Sequence, residues 1–511
     1  MNANAPTVAI VGGGALGAAL VGLLTERLSP TQPWGRAKPR VVLFEKSEHV
    51  GRGLAYARDG SPYLLNTTAQ TMSLVPGRRA DFFQWLEQRG LAPKGEGEHF
   101  CARERFGDYV EDCFARSLEK ARRRGIGVTT VRDEVAALTP RALGGYRVVT
   151  RGHAPVDADV VVLAVGNVPS NGFRELRGPG FFPSPYPSDA LRTRVPPRAS
   201  VAVLGTGLSA IDAALALFGA GHEGSVTMAS RSGMLPRVRG PLHDHELLHV
   251  TRSSVARATD QGRRPLRWAT VLRWLEQEVE HHGLEVSWDR DFPAWADAKD
   301  HLASEVGAAS SGARLWQSIG EALNPMMDVL WHHLDDGDRR LFLDRYRSRF
   351  MAHWVPMPLV TARRVLGLLR DGKLEVARGL GQVTRNGEGF CLAFEDRSVE
   401  VDCVINATGT PRYLHESDSP LLEALVGQGT IAPHACGGAH VDFESFRVLG
   451  AEGRLDPSLF ALGNLTCGTH LFTSTLDLNV EKADRVAAHV VEELRRRTEK
   501  DLHVDATPHT S

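Results

Sequence analysis

The residues best placed to do chemistry in this chain are small ones. Gly12, Gly14 and Gly17 form a G-x-G-x-x-G run within Val8-Ala-Ile-Val-Gly-Gly-Gly-Ala-Leu-Gly17. Gly205 and Gly207 open a second run, G-x-G-x-x-A, within Val201-Ala-Val-Leu-Gly205-Thr-Gly207-Leu-Ser209-Ala210. In such a run the first glycine makes a tight turn. The second lets the backbone approach a pyrophosphate with no Cβ in the way, and the third small residue lets a helix pack closely on a strand. The N–H groups of that helix then face the phosphates. The chemistry implied is the holding of two dinucleotides by one chain.

Charged residues near each run refine this. Glu45, followed by Lys46, ends the apolar stretch Val41 to Phe44. A carboxylate there can accept the ribose hydroxyls of an adenosine. After the second run the corresponding stretch ends in Ala229-Ser-Arg231-Ser. An acid at this point would repel a 2′-phosphate, whereas an arginine holds one bidentately. Arg237 and Arg239 could add charge. The second nucleotide is therefore expected to be NADPH rather than NADH.

The elements that must position these residues can be read from the hydrophobic pattern. Val8 to Val11 and Val41 to Phe44 are buried-type strands around a helix from Ala18 to Leu28, the start of a parallel sheet. The same architecture returns with a strand Val201–Leu204, a helix Leu208–Phe218 and a strand Val226–Ala229. A Pro-rich connection, Pro183 to Pro197, separates the two units. Asp159 to Ala164 is a strand ending in a small-residue turn at Gly166, and Cys403 to Ala407 repeats it before Gly409. Leu459 to Leu462 leads into Gly463-Asn464, and a helix from Val480 to Arg497 closes the fold. The expected class is α/β: two Rossmann-like dinucleotide-binding domains, the first interrupted by the second, with a helical insertion. The expected boundaries are 1–175 and 401–497 for the first domain, 176–264 and 351–400 for the second, 265–350 for the insertion and 498–511 for a disordered tail.

Bulk properties exclude several classes. A chain of 511 residues needs more than one core. Its formal net charge of −1 offers no footprint for nucleic acid. The apolar run from Val8 to Leu24 is broken by glycines and lacks a basic flank, so neither a membrane span nor a signal peptide is expected, and a cytoplasmic location is. Six cysteines with no C-x-x-C pair disfavour a dithiol relay. His243, His245 and His249 lack a further ligand set, and no metal is expected.

Beyond these motifs, the chain resembles a known family. Glu45-Lys46, Gly51-Arg-Gly53-Leu-Ala-Tyr56, Leu64-Leu-Asn66, Met72-Ser73 and Phe106-Gly107-x-Tyr109 look like the FAD/NAD(P)-binding family typified by bacterial YdhS-like proteins, related to the class B flavin N-monooxygenases. The resemblance implies FAD at the first glycine run. Gly53 and Tyr56 would then run along the flavin, Asn66 would lie by its ring system or serve only as a turn residue, and Gly166 and Gly409 would mark crossings between domains. Gly463-Asn464 resembles the late strand end that meets the flavin's ribityl chain, with Asn in place of the usual Asp. The implied activity is FAD-dependent and NADPH-using: oxygen adds to the reduced flavin at C4a, and the hydroperoxide oxidises a soft nucleophile, here an amine nitrogen of an amino acid or similar small molecule. The partners are then a small-molecule substrate and molecular oxygen, with a homo-oligomer possible. The rival activities are a reductase or dehydrogenase without oxygen transfer, and a non-catalytic flavin-binding sensor. Gly178-Pro-Gly-Phe-Phe-Pro-Ser-Pro-Tyr186-Pro stands where a Baeyer–Villiger F-x-G-x-x-x-H-x-x-x-W fingerprint would be, which disfavours ketone oxygenation. No catalytic side chain is evident. The Trp- and Arg-rich insertion, with Arg345 and Arg349, is expected either to wall the substrate side or to brace the domains.

Overall fold

A computed structural model describes residues 5–28, 34, 38–92, 99–283, 297–312 and 315–505. The apolar runs flanking the first glycine motif build a six-stranded sheet. Its order is Arg447–Leu449, Leu455–Ala461, Val160–Leu163, Thr7–Val11, Arg40–Phe44, Gly127–Val131. All neighbours are parallel except the first pair. Val8 to Ile10 and Val160 to Leu163 are fully buried, as continuous apolar strands covered on both faces must be. The helices Ala15–Arg27, Arg103–Arg124 and Leu476–Asp505 cover one face. A small antiparallel sheet, Val135–Pro140, Tyr146–Thr150 and Val156–Ala158, lies on the other.

The second glycine motif sits in an all-parallel five-stranded sheet: Leu374–Arg378, Val226–Ser230, Val201–Leu204, Cys403–Asn406, Phe181–Phe182. This corrects one boundary. Cys403–Asn406, expected in the first domain, pairs with Val201–Leu204 and belongs to the second. The two sheets are built alike: each glycine-run strand has as its parallel neighbour an apolar strand that ends in a small-residue turn, Val160–Leu163 in the first and Cys403–Asn406 in the second. Residues 380–401 form a separate antiparallel sheet whose Val383, Phe390, Leu392 and Val401 pack on the face of the second sheet that carries Ala202, Leu204, Ala229 and Val404.

The insertion is not one unit. Leu302 and Ala309, on the helix Ala298–Ser310, are buried in the second domain's core against the helix Leu359–Arg370. The helix Leu315–His333 instead joins Val250, Val255, Leu266 and Val271 in a core that also takes in Cys436, Phe443 and Leu471 of the returning first domain. The C-terminal helix continues to Asp505, past the expected end at Arg497, so residues 498–505 are helical rather than a disordered tail; residues 506–511 lie outside the described residues.

Asp328 ties the insertion to the first domain. Its carboxylate accepts N–H groups of Leu471 at 2.8 Å and Phe472 at 3.0 Å, and pairs with Lys482 at 2.7 Å. Burial opposes its charge, but Lys482 and His470 outweigh burial and hold its pKa below the usual carboxylate range. A lowered pKa gives stability that is present above the unfolded value and lost as pH falls through the folded one. Acid titration of Asp328→Asn is therefore expected to show a shallower stability loss below about pH 4 than wild type; identical slopes would refute this role for Asp328.

Candidate functional site

The first glycine turn is shaped by contacts that only glycine permits. Gly12 has φ +106, and a Cβ there would lie 2.3 Å from the Ala164 carbonyl oxygen. A Cβ on Gly17 would lie 2.0 Å from the Gly12 oxygen, so this glycine lets helix and strand close up. Gly14 is different. The nearest atom to a Cβ on Gly14 is the Gly53 Cα, at 3.8 Å, and Gly53 in turn faces Gly14. The two glycines thus form opposite lips of a narrow cleft. The 51–56 loop is held over the turn by the Gly51 N–H, which donates to the Gly13 carbonyl at 2.6 Å.

Glu45 closes the cleft's outer end. Its two carboxylate oxygens accept N–H bonds from Gly13 at 2.8 Å and Ser47 at 2.7 Å. Each oxygen keeps a further acceptor site for a ribose hydroxyl. Lys46 is exposed and paired with Glu134 at 3.3 Å. At the inner end, Tyr56 packs on Phe106 with ring centroids 4.8 Å apart. Burial, with Asp477 adding and Arg103 opposing, pushes the Tyr56 hydroxyl up to about 12. Asn66 is half-buried beyond it. Gly166, in the left-handed region, has open space where a Cβ would be. Gly463 lies against Leu16, and the Asn464 amide oxygen accepts the Thr473 hydroxyl at 3.1 Å.

The second turn repeats the plan. Gly205 has φ +116 beside the Ala407 oxygen, while Gly207 and Gly409 have nothing within 4 Å of a Cβ. Gly14 and Gly207 are the N-caps of their helices, and neither helix has a side-chain cap. Their first N–H groups are thus left for an external acceptor, the condition for binding phosphate. Both turns therefore fit the groups that the sequence implies.

Arg231 is exposed at the end of Val226–Ser230, beside Ser230, where an acid would exclude a 2′-phosphate. Arg237 cannot assist it. Arg237 is buried and paired with Glu305 at 2.5 Å, and it contacts His353 Nε2 at 2.9 Å. Arg239 points to Glu321 at 4.0 Å. Ser209 lies in the first turn of the helix Leu208–Gly219, near Tyr186. Among the described residues no group of three His, Cys, Asp or Glu side chains could hold a metal, and no helix is long and apolar enough to cross a membrane.

Several residues missed by pattern meet where the domains join. Glu321, from the helix Leu315–His333, pairs with Arg79 at 3.4 Å. Asp477 opens the C-terminal helix close to Tyr56 and Glu321, and burial raises its pKa. Phe350 stacks on Trp354 with ring centroids 4.8 Å apart, and Phe472 meets both rings at a tilt. These residues come from four distant segments, so no spacing rule could have collected them. Burial pushes up the thiols of Cys101, Cys113, Cys403, Cys436 and Cys467, which leaves them poor nucleophiles.

Comparison with known proteins agrees with this geometry. Residues 9–168 match the FAD-NAD(P)-binding family. The uncharacterized protein YdhS of Escherichia coli (strain K12) is 23% identical, the match covering 83% of this chain and 88% of that protein. Among solved structures, the reduced form of ornithine hydroxylase (PvdA) from Pseudomonas aeruginosa superposes with a TM-score of 0.60 at 17% identity, covering 96% of this chain and 100% of that one. L-lysine 6-monooxygenase from Pseudomonas syringae gives 0.56 at 18%, with the same coverage.

Proposed function

We propose that this FAD/NAD(P)-binding protein, built on the two-domain architecture of the class B flavin monooxygenases, is an NADPH-dependent monooxygenase that hydroxylates an amine nitrogen. The observation that carries the reading is the pair of uncapped glycine turns, both open to a nucleotide, in a chain whose shifted thiols are raised rather than activated. A second open turn is what a reductive half-reaction requires. The shared architecture with ornithine and lysine hydroxylases supports the choice of an amine.

In this reading Gly12, Gly14, Gly17, Glu45, Gly53, Tyr56, Asn66, Gly166, Gly463 and Asn464 hold FAD. Gly205, Gly207, Ser209, Arg231 and Gly409 hold NADPH. Bound FAD supplies the ring that accepts a hydride from NADPH and delivers one atom of oxygen to the substrate. The balance is amine plus O2, NADPH and a proton, giving hydroxylamine, water and NADP+. An ammonium has no lone pair, so the substrate nitrogen must first lose a proton. Asp477 and Glu321 supply carboxylates at the domain junction that can attract the cation and take that proton. Phe350, Trp354 and Phe472 exclude water from that side.

The test is product analysis. NADPH oxidation by the FAD-loaded protein should be coupled to hydroxylamine formation for at least one member of an amine and amino-acid panel. NADPH oxidation yielding only hydrogen peroxide with every amine would refute oxygen transfer. A preference for NADPH over NADH is expected to rest on Arg231. A charge-assisted contact with phosphate is worth roughly 1.5–3 kcal/mol, so Arg231→Ala should reduce the preference by about ten-fold or more. Equal rates of flavin reduction by the two nucleotides in the wild type would remove that role from Arg231.

A further inference from the structure

Two arginines near the domain junction lack the partners that buried cations need. Arg347 begins the helix Arg347–Trp354 and is half-buried. It makes no ion pair or side-chain hydrogen bond among the described residues. Its charged neighbour is a second guanidinium, Arg412, and the other groups near it are the weak acids Cys467 and Tyr413. Arg412 donates from Nη2 to the Cys467 carbonyl at 3.0 Å, but its buried Nε has no hydrogen-bond partner among the described residues. It too forms no ion pair among the described residues. Nearby, burial lowers the pKa of His434, with His440, Arg339 and Arg412 adding to the effect and Asp336 opposing it. Among the described residues the carboxylates of this region are engaged elsewhere, Asp336 with Arg339 at 3.5 Å and Glu416 with the Tyr413 N–H at 3.3 Å, and none pairs with Arg347 or Arg412.

Two like charges held together under partial burial cost free energy unless a counter-charge arrives. Their position in the fold says from where. Arg412 lies three residues past Gly409, the open turn that follows Cys403–Asn406 of the second sheet. The carbonyl it grips belongs to Cys467, which caps the turn Gly463–Thr466 at the strand end of the first sheet. The residues just before Arg347, Phe342–Tyr346, form a π-helical turn. A π turn shifts the side-chain register of the next helical turns, and such turns recur at functional sites. Arg345, one of the two arginines named from the insertion's composition, is exposed, whereas Arg347 is half-buried.

We propose that Arg347 and Arg412 form a binding site for an anionic oxygen group, carboxylate or phosphate, carried by a small molecule lying between the Gly409 and Gly463 turns. A planar guanidinium pair suits either group bidentately. The carboxylate would come from an amino-acid substrate, and that arm rests on the proposed amine oxidation. The phosphate would come from NADP(H), and that arm does not.

The test uses the FAD-loaded full chain with Arg347→Met and Arg412→Met, and Arg347→Lys as a charge-keeping control. Calorimetric titration would measure affinity for NADP+, for L-lysine, and for cadaverine as the carboxylate-free counterpart. Melting temperature would be read in chloride buffer with and without inorganic pyrophosphate. At least a ten-fold loss of affinity for NADP+ or for L-lysine is expected in both Met variants, with a smaller loss in Arg347→Lys and none for cadaverine. Pyrophosphate should raise the melting temperature of wild type more than that of the Met variants, which keep the open Gly207 turn. Loss confined to NADP+ assigns the phosphate, and loss confined to L-lysine assigns the carboxylate. Unchanged affinity for both anions, with pyrophosphate stabilising all forms equally or none, overturns the site. Absence of hydroxylamine from every amine alongside a retained NADP+ effect would refute the proposed activity and leave the anion site standing.

Discussion

Gly14→Val is expected to give a folded, colourless protein. The reason is local. A Cβ on Gly14 meets no atom closer than the Gly53 Cα at 3.8 Å, so the folded chain has room for it. That room is the cleft between Gly14 and Gly53, which the pyrophosphate of FAD would occupy. Valine fills it with a branched side chain and moves the phosphates off the uncapped helix N-terminus of Ala15–Arg27. The contrast is with Gly17→Val, whose Cβ would sit 2.0 Å from the Gly12 oxygen and force helix from strand. Gly17→Val should therefore lose its fold together with its flavin, whereas Gly14→Val should keep its circular dichroism and lose only the flavin absorbance. Full flavin occupancy in a folded Gly14→Val protein would show that the cleft does not carry the pyrophosphate. Gly53→Val, from the opposite lip, is a weaker test, because Gly53 has φ +53 and a branched residue there adds backbone strain.

The legible parts of this fold were those set by short-range rules. Both glycine runs, the strands beside them and the acid at Glu45 were readable, because a turn, a close backbone approach and a strand end each leave a mark within a few residues. The membership of Cys403–Asn406 was not. An apolar strand ending in a small-residue turn is the same signal in either sheet, and only pairing with Val201–Leu204 separates them. Arg237 was misjudged for a related reason. Its partner Glu305 lies on Ala298–Ser310, a helix whose place in the second core is a tertiary fact. The junction residues Tyr56, Glu321 and Asp477 were illegible as a group, since the insertion, the first loop and the last helix meet only on folding.

The junction itself supplies the largest expected effect on stability. Arg103, at the start of the helix Arg103–Arg124 in the first domain, pairs at 2.6 Å with Asp212 of the helix Leu208–Gly219 in the second. Both side chains are about nine-tenths buried, exposed by 11% and 9%. Arg103 also donates through Nε to the Leu64 carbonyl at 3.0 Å, and the Tyr186 hydroxyl donates to Asp212 at 2.5 Å. Tyr186 belongs to the Pro-rich connection, so one network joins both domains and the chain that links them. Burial raises the pKa of Asp212 against the pull of Arg103 and Tyr186, and the close contact favours the ion pair. Asp212→Ala would strand the Arg103 charge without a counter-ion. Breaking a buried pair from one side costs about 3–5 kcal/mol. The double variant Arg103→Leu/Asp212→Leu removes both charges and should recover most of that loss, because apolar replacement of a buried pair is often neutral. Because Asp212 follows Gly205 and Gly207 on the helix they open, the single variant should also slow flavin reduction by NADPH while flavin occupancy stays near that of wild type. Calorimetry is expected to resolve two unfolding transitions in Asp212→Ala where wild type has one. A single transition within about 1 kcal/mol of wild type would mean that the domains are held together by their apolar contacts and not by this pair.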